Sequence, residues 1–302
     1  MMGLGALIIR NCKLFFKDKG MFFTSLITPL ILLVLYVTFL GNVYQDIFTS
    51  AIPENFSVSE KLIHGMVGGQ LISSLLAVSC VTVAFCSNLL MVQDKTTGSI
   101  KDLRMAPMKC SVMALGYFIS SALSTLLIGF AALAVCLGYL YATGWYLTAA
   151  DVGMLALDVF LLVLFGTAIS SVVNFPLSSN GQASAVGTIV SAGYGFLCGA
   201  YMPISSFSPG LQKVLSFLPG TYGTSLIRNH ALRGVYENMS EQGFPSEAVE
   251  AIKDSIDCNL YFFGDKVPLG NMYVILAVSV AAATGIFVLM NILSGRFSER
   301  SR

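Results

Sequence analysis

The sequence predicts an all-α integral membrane protein: six transmembrane helices, an amino-terminal interfacial helix and an external re-entrant helical hairpin before the last span. Three observations predict it. Of 302 residues, 55% are hydrophobic and only 11% charged, whereas soluble domains carry charge on roughly a quarter of their residues. The apolar residues gather into six stretches, each near the roughly 20 residues a helix needs to cross the hydrocarbon core. These runs lack the in/out alternation of barrel strands, and a helix satisfies its own backbone groups where lipid cannot.

Residues 4–19 read as a helix lying on the membrane. At about 100° per residue, Arg10, Lys13 and Lys17 fall in one arc, with Leu4, Ile8, Cys12, Phe15 and Phe16 on the other side, the pattern of an interfacial helix. The apolar run that follows is too long for a signal-peptide core and lacks a small-residue cleavage site, so the segment is expected to be retained. The spans are placed at 21–41, 65–92, 113–140, 152–173, 182–202 and 272–294. Between the second and third lies a charged island, Gln93–Lys109, within a loop over 93–112. It is too polar for lipid and too short for a soluble domain.

Placing both termini in the cytoplasm puts eleven of the 17 Lys and Arg on that side and six opposite, five of them in one long segment. Charges in long segments count little, so the positive-inside rule sets this orientation and makes the island cytoplasmic. The expected location is the plasma (inner, cytoplasmic) membrane, multi-pass. Outside, residues 42–64 form a modest loop. Residues 203–233 are apolar but broken by Pro203, Pro209, Gly210, Pro219, Gly220 and Gly223, a pattern that dips into a membrane without crossing it. Residues 234–271 form an external acidic insert, in which Pro245 opens a short helix with Val249, Ile252 and Ile256 on one face. That helix either caps an exit or simply solvates the surface. Residues 1–302 form a single transmembrane domain.

Chemical motifs are sparse. The seven cysteines read as small apolar residues. The two histidines, His64 and His230, lie at the outer ends of apolar segments with no second ligand nearby in sequence, so no metal site and no catalytic residue is expected. There is no G-x-x-x-x-G-K-S/T, so any dependence on ATP and Mg must come from a partner subunit. The net charge of +1 gives nucleic-acid binding no support. Asp158, inside the fourth span, either faces a water-filled path, pairs with an arginine such as Arg228, or is hydrated near the outer interface.

The island matches a known pattern. Gly98-Ser-Ile-Lys-Asp-Leu-Arg-Met-Ala-Pro107 resembles the G-T-L-x-x-L-x-x-S/T-P segment of type-2 ABC exporter permeases. The resemblance implies a coupling helix that rests on an ATPase subunit and carries Gly98, Ser99, Ile100, Leu103 and Pro107. Thr96 stands where the family often has an acid, with Asp94 as the nearby substitute, and Ala106 replaces the usual hydroxyl. The amino-terminal segment with Phe15 and Lys17 resembles the family's connecting helix, which also touches the ATPase. Gly199-Ala-Tyr-Met-Pro203, Pro219, Tyr222 and Arg228 resemble its re-entrant outer segment.

The resemblance implies a permease working as two copies, or a copy with a homologue, and two ATPase subunits. By the same resemblance the second and fifth spans line a cavity through Phe85, Asn88, Tyr194 and Phe196, with Asp158 of the fourth span also on the substrate pathway, suited to amphipathic or lipid-like substrates moved out of the cytoplasm. Two alternatives stay open. A polymer permease would carry an aromatic row along its channel; an integral membrane enzyme would carry paired acids or histidines near one interface.

Overall fold

The computed structural model describes residues 2–51, 59–105 and 108–300. The helices follow the apolar runs with shifted ends. α1, Met2–Lys17, stops where the Asp18 carboxylate accepts from Met21 N at 3.1 Å and caps α2, Lys19–Leu35. Rather than ending near 41, the helix passes through a π-helical turn, Tyr36–Leu40, into α3, Gly41–Ala51. The Tyr36 hydroxyl donates to Val67 O at 2.9 Å, and its ring stacks on Tyr44 at 5.7 Å. These contacts extend the helix over 42–51 of the loop expected at 42–64; residues 52–58 lie outside the described residues, and the next helix takes up the remainder from Glu60.

The centre of the bundle is α4, Glu60–Thr96, capped by Ser59 and buried along most of its length. At about 1.5 Å per residue it is about 55 Å long, well over the roughly 30 Å hydrocarbon layer. α5, Ser99–Met105, is the short helix of the island. It is followed by α6, Cys110–Thr143, and by α7, Ala149–Asn174, which opens on a reciprocal cap between Thr148 and Asp151. α8, Asn180–Leu197, is shorter than the expected fifth span: the chain turns at Gly199, which has φ +72°. Among the described residues, five helices are long and apolar enough to cross a membrane, Lys19–Ser50, Glu60–Thr96, Cys110–Thr143, Ala149–Asn174 and Leu269–Ser294; α8 is not among them. The chain is an all-α, multi-pass membrane protein.

After α8 a 3-10 turn, Ile204–Ser206, leads to α9, Pro209–Leu215, and α10, Pro219–Glu241. α10 runs beyond 233, so the acidic insert expected from 234 begins inside a helix. Its path is set by packing. Gly234 lies against the Tyr146 carbonyl in the connection before α7, so close that a Cβ would overlap the oxygen. Gly223 lies against Leu162 and Leu276, well inside the bundle. The amino end of α10 is therefore the deeper one.

α11, Ser246–Ser255, buries Val249 and Ile252, with Ile256 just beyond its end, in a cluster with Tyr44, Phe48 and Leu62. Its apolar face is used for packing, as the spacing implies. A small hairpin, β1 Tyr261–Phe262 and β2 Asp265–Lys266, precedes α12, Leu269–Arg300. Glu250 on α11 accepts from Lys253 at 2.9 Å, Lys266 at 2.8 Å and Asn259 at 3.0 Å, tying helix to hairpin. The Lys266 and Lys253 ammonium groups hold its carboxyl down at about 2, from an ordinary 4.5. A depressed acid stabilises the fold above its unfolded value and loses that contribution as pH falls toward the folded one. Amide exchange across 246–266, wild type against Glu250→Gln at each pH, is expected to converge between about 4.5 and 2; a constant ratio would remove Glu250 from the stability of this segment.

Candidate functional site

Helical packing brings together three groups of residues. At the α5 end, Gly98 adopts φ +83°, the left-handed region where an L side chain is strained. Open space surrounds it, so backbone conformation, not crowding, calls for glycine here. The kink lets α5 fold back under the bundle. Ile100 and Leu103 turn inward against a cluster containing Leu7, Met91, Met113 and Phe287. The outward face presents Lys101, Asp102 and Met105, the last 77% exposed. Ile100 and Leu103 are the apolar pair of this short helix and pack it against the bundle. Ser99 lies with its hydroxyl 3.0 Å from that of Thr97. Pro107 lies outside the described residues.

One turn before α5, Asp94 is buried. Arg10 reaches both its oxygens, at 2.8 and 2.7 Å, and the Tyr117 hydroxyl donates at 2.6 Å. Asp94 therefore does not stand in for the missing outward acid at Thr96, and Arg10 leaves the solvent arc of α1. The bidentate pair joins α1, α4 and α6 directly above the kink, and Asp94 raises the Arg10 guanidinium above its ordinary value. The protein-facing side of α1 centres on Leu7, Asn11 and Phe15, with Asn11 donating to Ser120 Oγ at 3.3 Å. Phe15 is 1% exposed and packs with Val83, Leu90 and Ile128. It is closed to a soluble partner; Lys17 is exposed.

The second group is a side groove of about 1290 Å³ between α2, α4 and α8. Ile27, Ile31 and Leu89 give it apolar walls, and Thr28, Ser184 and Thr188 a sparse hydroxyl lining. Of the five residues expected along a pathway, Phe196 lines this groove. Phe85 is buried in the central core. Asn88 donates to Ser170 Oγ at 3.0 Å and Ser171 Oγ at 2.6 Å, binding α4 to α7. The Tyr194 hydroxyl sits over Gly220 at the start of α10. Asp158 accepts from Tyr273 at 2.5 Å and lies 2.6 Å from His230 Nδ1. Its partners are thus His230 and Tyr273 rather than Arg228, and the three helices α7, α10 and α12 meet at one buried carboxylate.

The third group lies at the opposite end of the bundle from α5. Arg228 is 1% exposed; it donates to Ile256 O and, at 2.8 Å, to Gly199 O, and lies 3.7 Å from Asp257. Asp257 in turn accepts from Ile204 N at 2.7 Å, while burial pushes its carboxyl up against the opposing pull of Arg228. Pro203 opens the 3-10 turn, Pro219 opens α10, and the Tyr222 hydroxyl donates to Ser216 O at 2.5 Å. Pro203, Pro219, Tyr222 and Arg228, which resemble the family's re-entrant outer segment, lie on the segments joined at this node.

Residue-by-residue reading missed His230, Tyr273, Tyr117 and Asp257, whose roles come from partners distant in sequence. The arrangement offers mechanical links and an apolar groove. Among the described residues no group of acids, histidines and cysteines could hold a metal.

A family model described as ABC-2 type transporter matches residues 2–231, ending within α10. No curated protein matches the chain.

Proposed function

The chain belongs to the ABC-2 type transporter family, and from that premise we propose that it is the membrane-spanning permease subunit of an exporter driven by a separate ATPase subunit. The reading places α5 in the cytoplasm, resting on that ATPase through Lys101, Asp102 and Met105, with both termini on the same side in the plasma membrane. α8 serves as a sixth span, and α9 with the amino end of α10 as the re-entrant hairpin. Two ATPase subunits serve two permease copies.

The observation that carries the reading is the side groove. α2 and α8 flank α4 but leave broad apolar faces uncovered, with Phe23, Ile27, Ile31, Phe39, Ile189 and Phe196 all at least about half exposed. Lipid or a second copy covers such a face. A second copy set there encloses an apolar passage with a few hydroxyls, suited to an amphipathic or lipid-like substrate. A motor pushing on α5 moves α4 and α1 together through the Arg10–Asp94 pair, and α4 forms one wall of the groove. Alternating access is then a rigid-body change transmitted through packed helices.

The test is ATP-dependent movement of a fluorescent phospholipid in vesicles holding the chain with its ATPase partner. Gly187→Trp, which places an indole in the groove, is expected to stop movement while complex formation persists. Undiminished movement would detach the groove from transport.

A further inference from the structure

A cluster of exposed apolar side chains sits where the hairpin before α12, beyond the region that the family model matches, meets α9 and the turn after it, which lie inside that region. Tyr261 and Phe262 pair antiparallel with Lys266 and Asp265, and the turn is formed by Phe263 at φ +52° and Gly264 at φ +102°. A phenylalanine in the left-handed region is strained. The strain brings its ring out: Phe263 is 63% exposed, Phe262 38% and Phe217 62%, and the three rings meet at centroid distances of 4.9, 5.3 and 5.9 Å. Leu211 and Val214, 40% and 59% exposed, extend the patch along α9 at three-residue spacing toward Phe217. A contiguous apolar patch of this kind marks an interaction surface.

Packing fixes its depth. α7 and α12 start at the same end of the bundle, since Asp158, nine residues into α7, meets Tyr273, four residues into α12, and Phe175, just past the end of α7, meets Phe287, eighteen residues into α12. Gly223 packs on Leu162 and Leu276, about 20 Å and about 10 Å into those two helices. The bond from the Tyr222 hydroxyl to Ser216 O holds the turn before α10 at that level. Phe217 therefore lies below the level at which α12 begins, and Phe262 and Phe263 stack on it. Tyr261 and Lys266 pair on one face of the hairpin, with Lys266 on Glu250 and the Tyr261 hydroxyl on Asp254 at 3.0 Å, while Asp265 stands opposite Phe262 on the other. Lys213 Nζ sits 6.0 Å from the Phe263 ring, the placement of a cation at the headgroup layer.

We propose that the 261–266 hairpin is a membrane foot: Phe262 and Phe263, with Phe217, insert into the leaflet at the end where α12 begins, and lipid acyl chains just below the headgroups cover the patch. Aromatic rings at this level are the ordinary anchors of membrane proteins. The inserted foot holds α11 and the Arg228 node against the bilayer at a fixed height. The proposal needs only these packing depths and the crossing of α12.

The test uses the full chain in phospholipid vesicles. Trp145 is the single tryptophan, so Trp145→Phe clears the background, and Phe263→Trp or, separately, Phe262→Trp supplies the probe. Lipids brominated on the acyl chain near the headgroup are expected to quench either probe to an extent comparable with Val274→Trp, an exposed site one turn into α12, while Glu247→Trp on α11 stays unquenched. Probes quenched no more than Glu247→Trp overturn the proposal. So does a disulfide joining position 263 of two Phe263→Cys chains, which would put a second copy on the patch.

Discussion

Arg228→Ala is expected to destabilise the end of the bundle away from α5 by about 3–5 kcal/mol, the cost of breaking a buried ion pair from one side. Three groups lose a partner at once: Ile256 O, Gly199 O and the Asp257 carboxylate. Asp257 is left buried without its cation, and burial already opposes its ionisation. Arg228→Lys should recover only part of the loss, since a single ammonium cannot reach both carbonyls and the acid as the guanidinium fork does. Adding Asp257→Asn to Arg228→Ala should also restore part, because the stranded charge is removed. Thermal unfolding in detergent, with amide exchange across 199–206 and 256–260, measures this. A melting temperature unchanged by Arg228→Ala would mean that the node carries no stability.

Leu103→Asp is expected to uncouple ATP hydrolysis from transport while leaving ATPase binding in place, whereas Met105→Asp should weaken binding itself. The distinction follows from facing. Leu103 packs inward with Ile100 against Met91, Met113 and Phe287, and moving a polar group into such contacts without a partner costs at least about 1–3 kcal/mol. At 1.4 kcal/mol per factor of ten, the population with α5 seated falls about fivefold to about 140-fold. Met105 is 77% exposed, so a charge there is expected to act mainly on the surface that meets the partner. Co-purification with the ATPase and substrate-stimulated ATP hydrolysis separate the two. Identical behaviour of both variants would show that α5 has no separate anchoring and docking faces.

Much of the helical framework was legible because lipid selects by local composition. A window of about 20 apolar residues is sufficient evidence for a span, whatever it later packs against. That is why α4, α6, α7 and α12 appear within a few residues of their expected places. α8 reads less clearly, since its glycines and hydroxyls lower its apolarity. The ends moved where a specific contact intervened: Tyr36 and Tyr44 carry the first span on as helix, and Gly199 ends α8 early. The island between the second and third spans stood out for the same compositional reason, and Gly98 appears at its kink.

By itself, then, the sequence determined the class of protein, most of its spans and the position of the short helix that a soluble partner could touch. These depend on residues near one another in the chain. Only the tertiary structure decided which side chains face inward and which charges find one another. Arg10 meets Asp94 across 84 positions, His230 meets Asp158 across 72, and Tyr273 meets the same carboxylate across 115. Helical periodicity gives a helix its faces but not its neighbours, so it could not tell that Phe15 and Leu103 turn into the bundle, or that Phe262 and Phe263 stack on Phe217. A buried charge must be paired somewhere; the crossing of helices determines where.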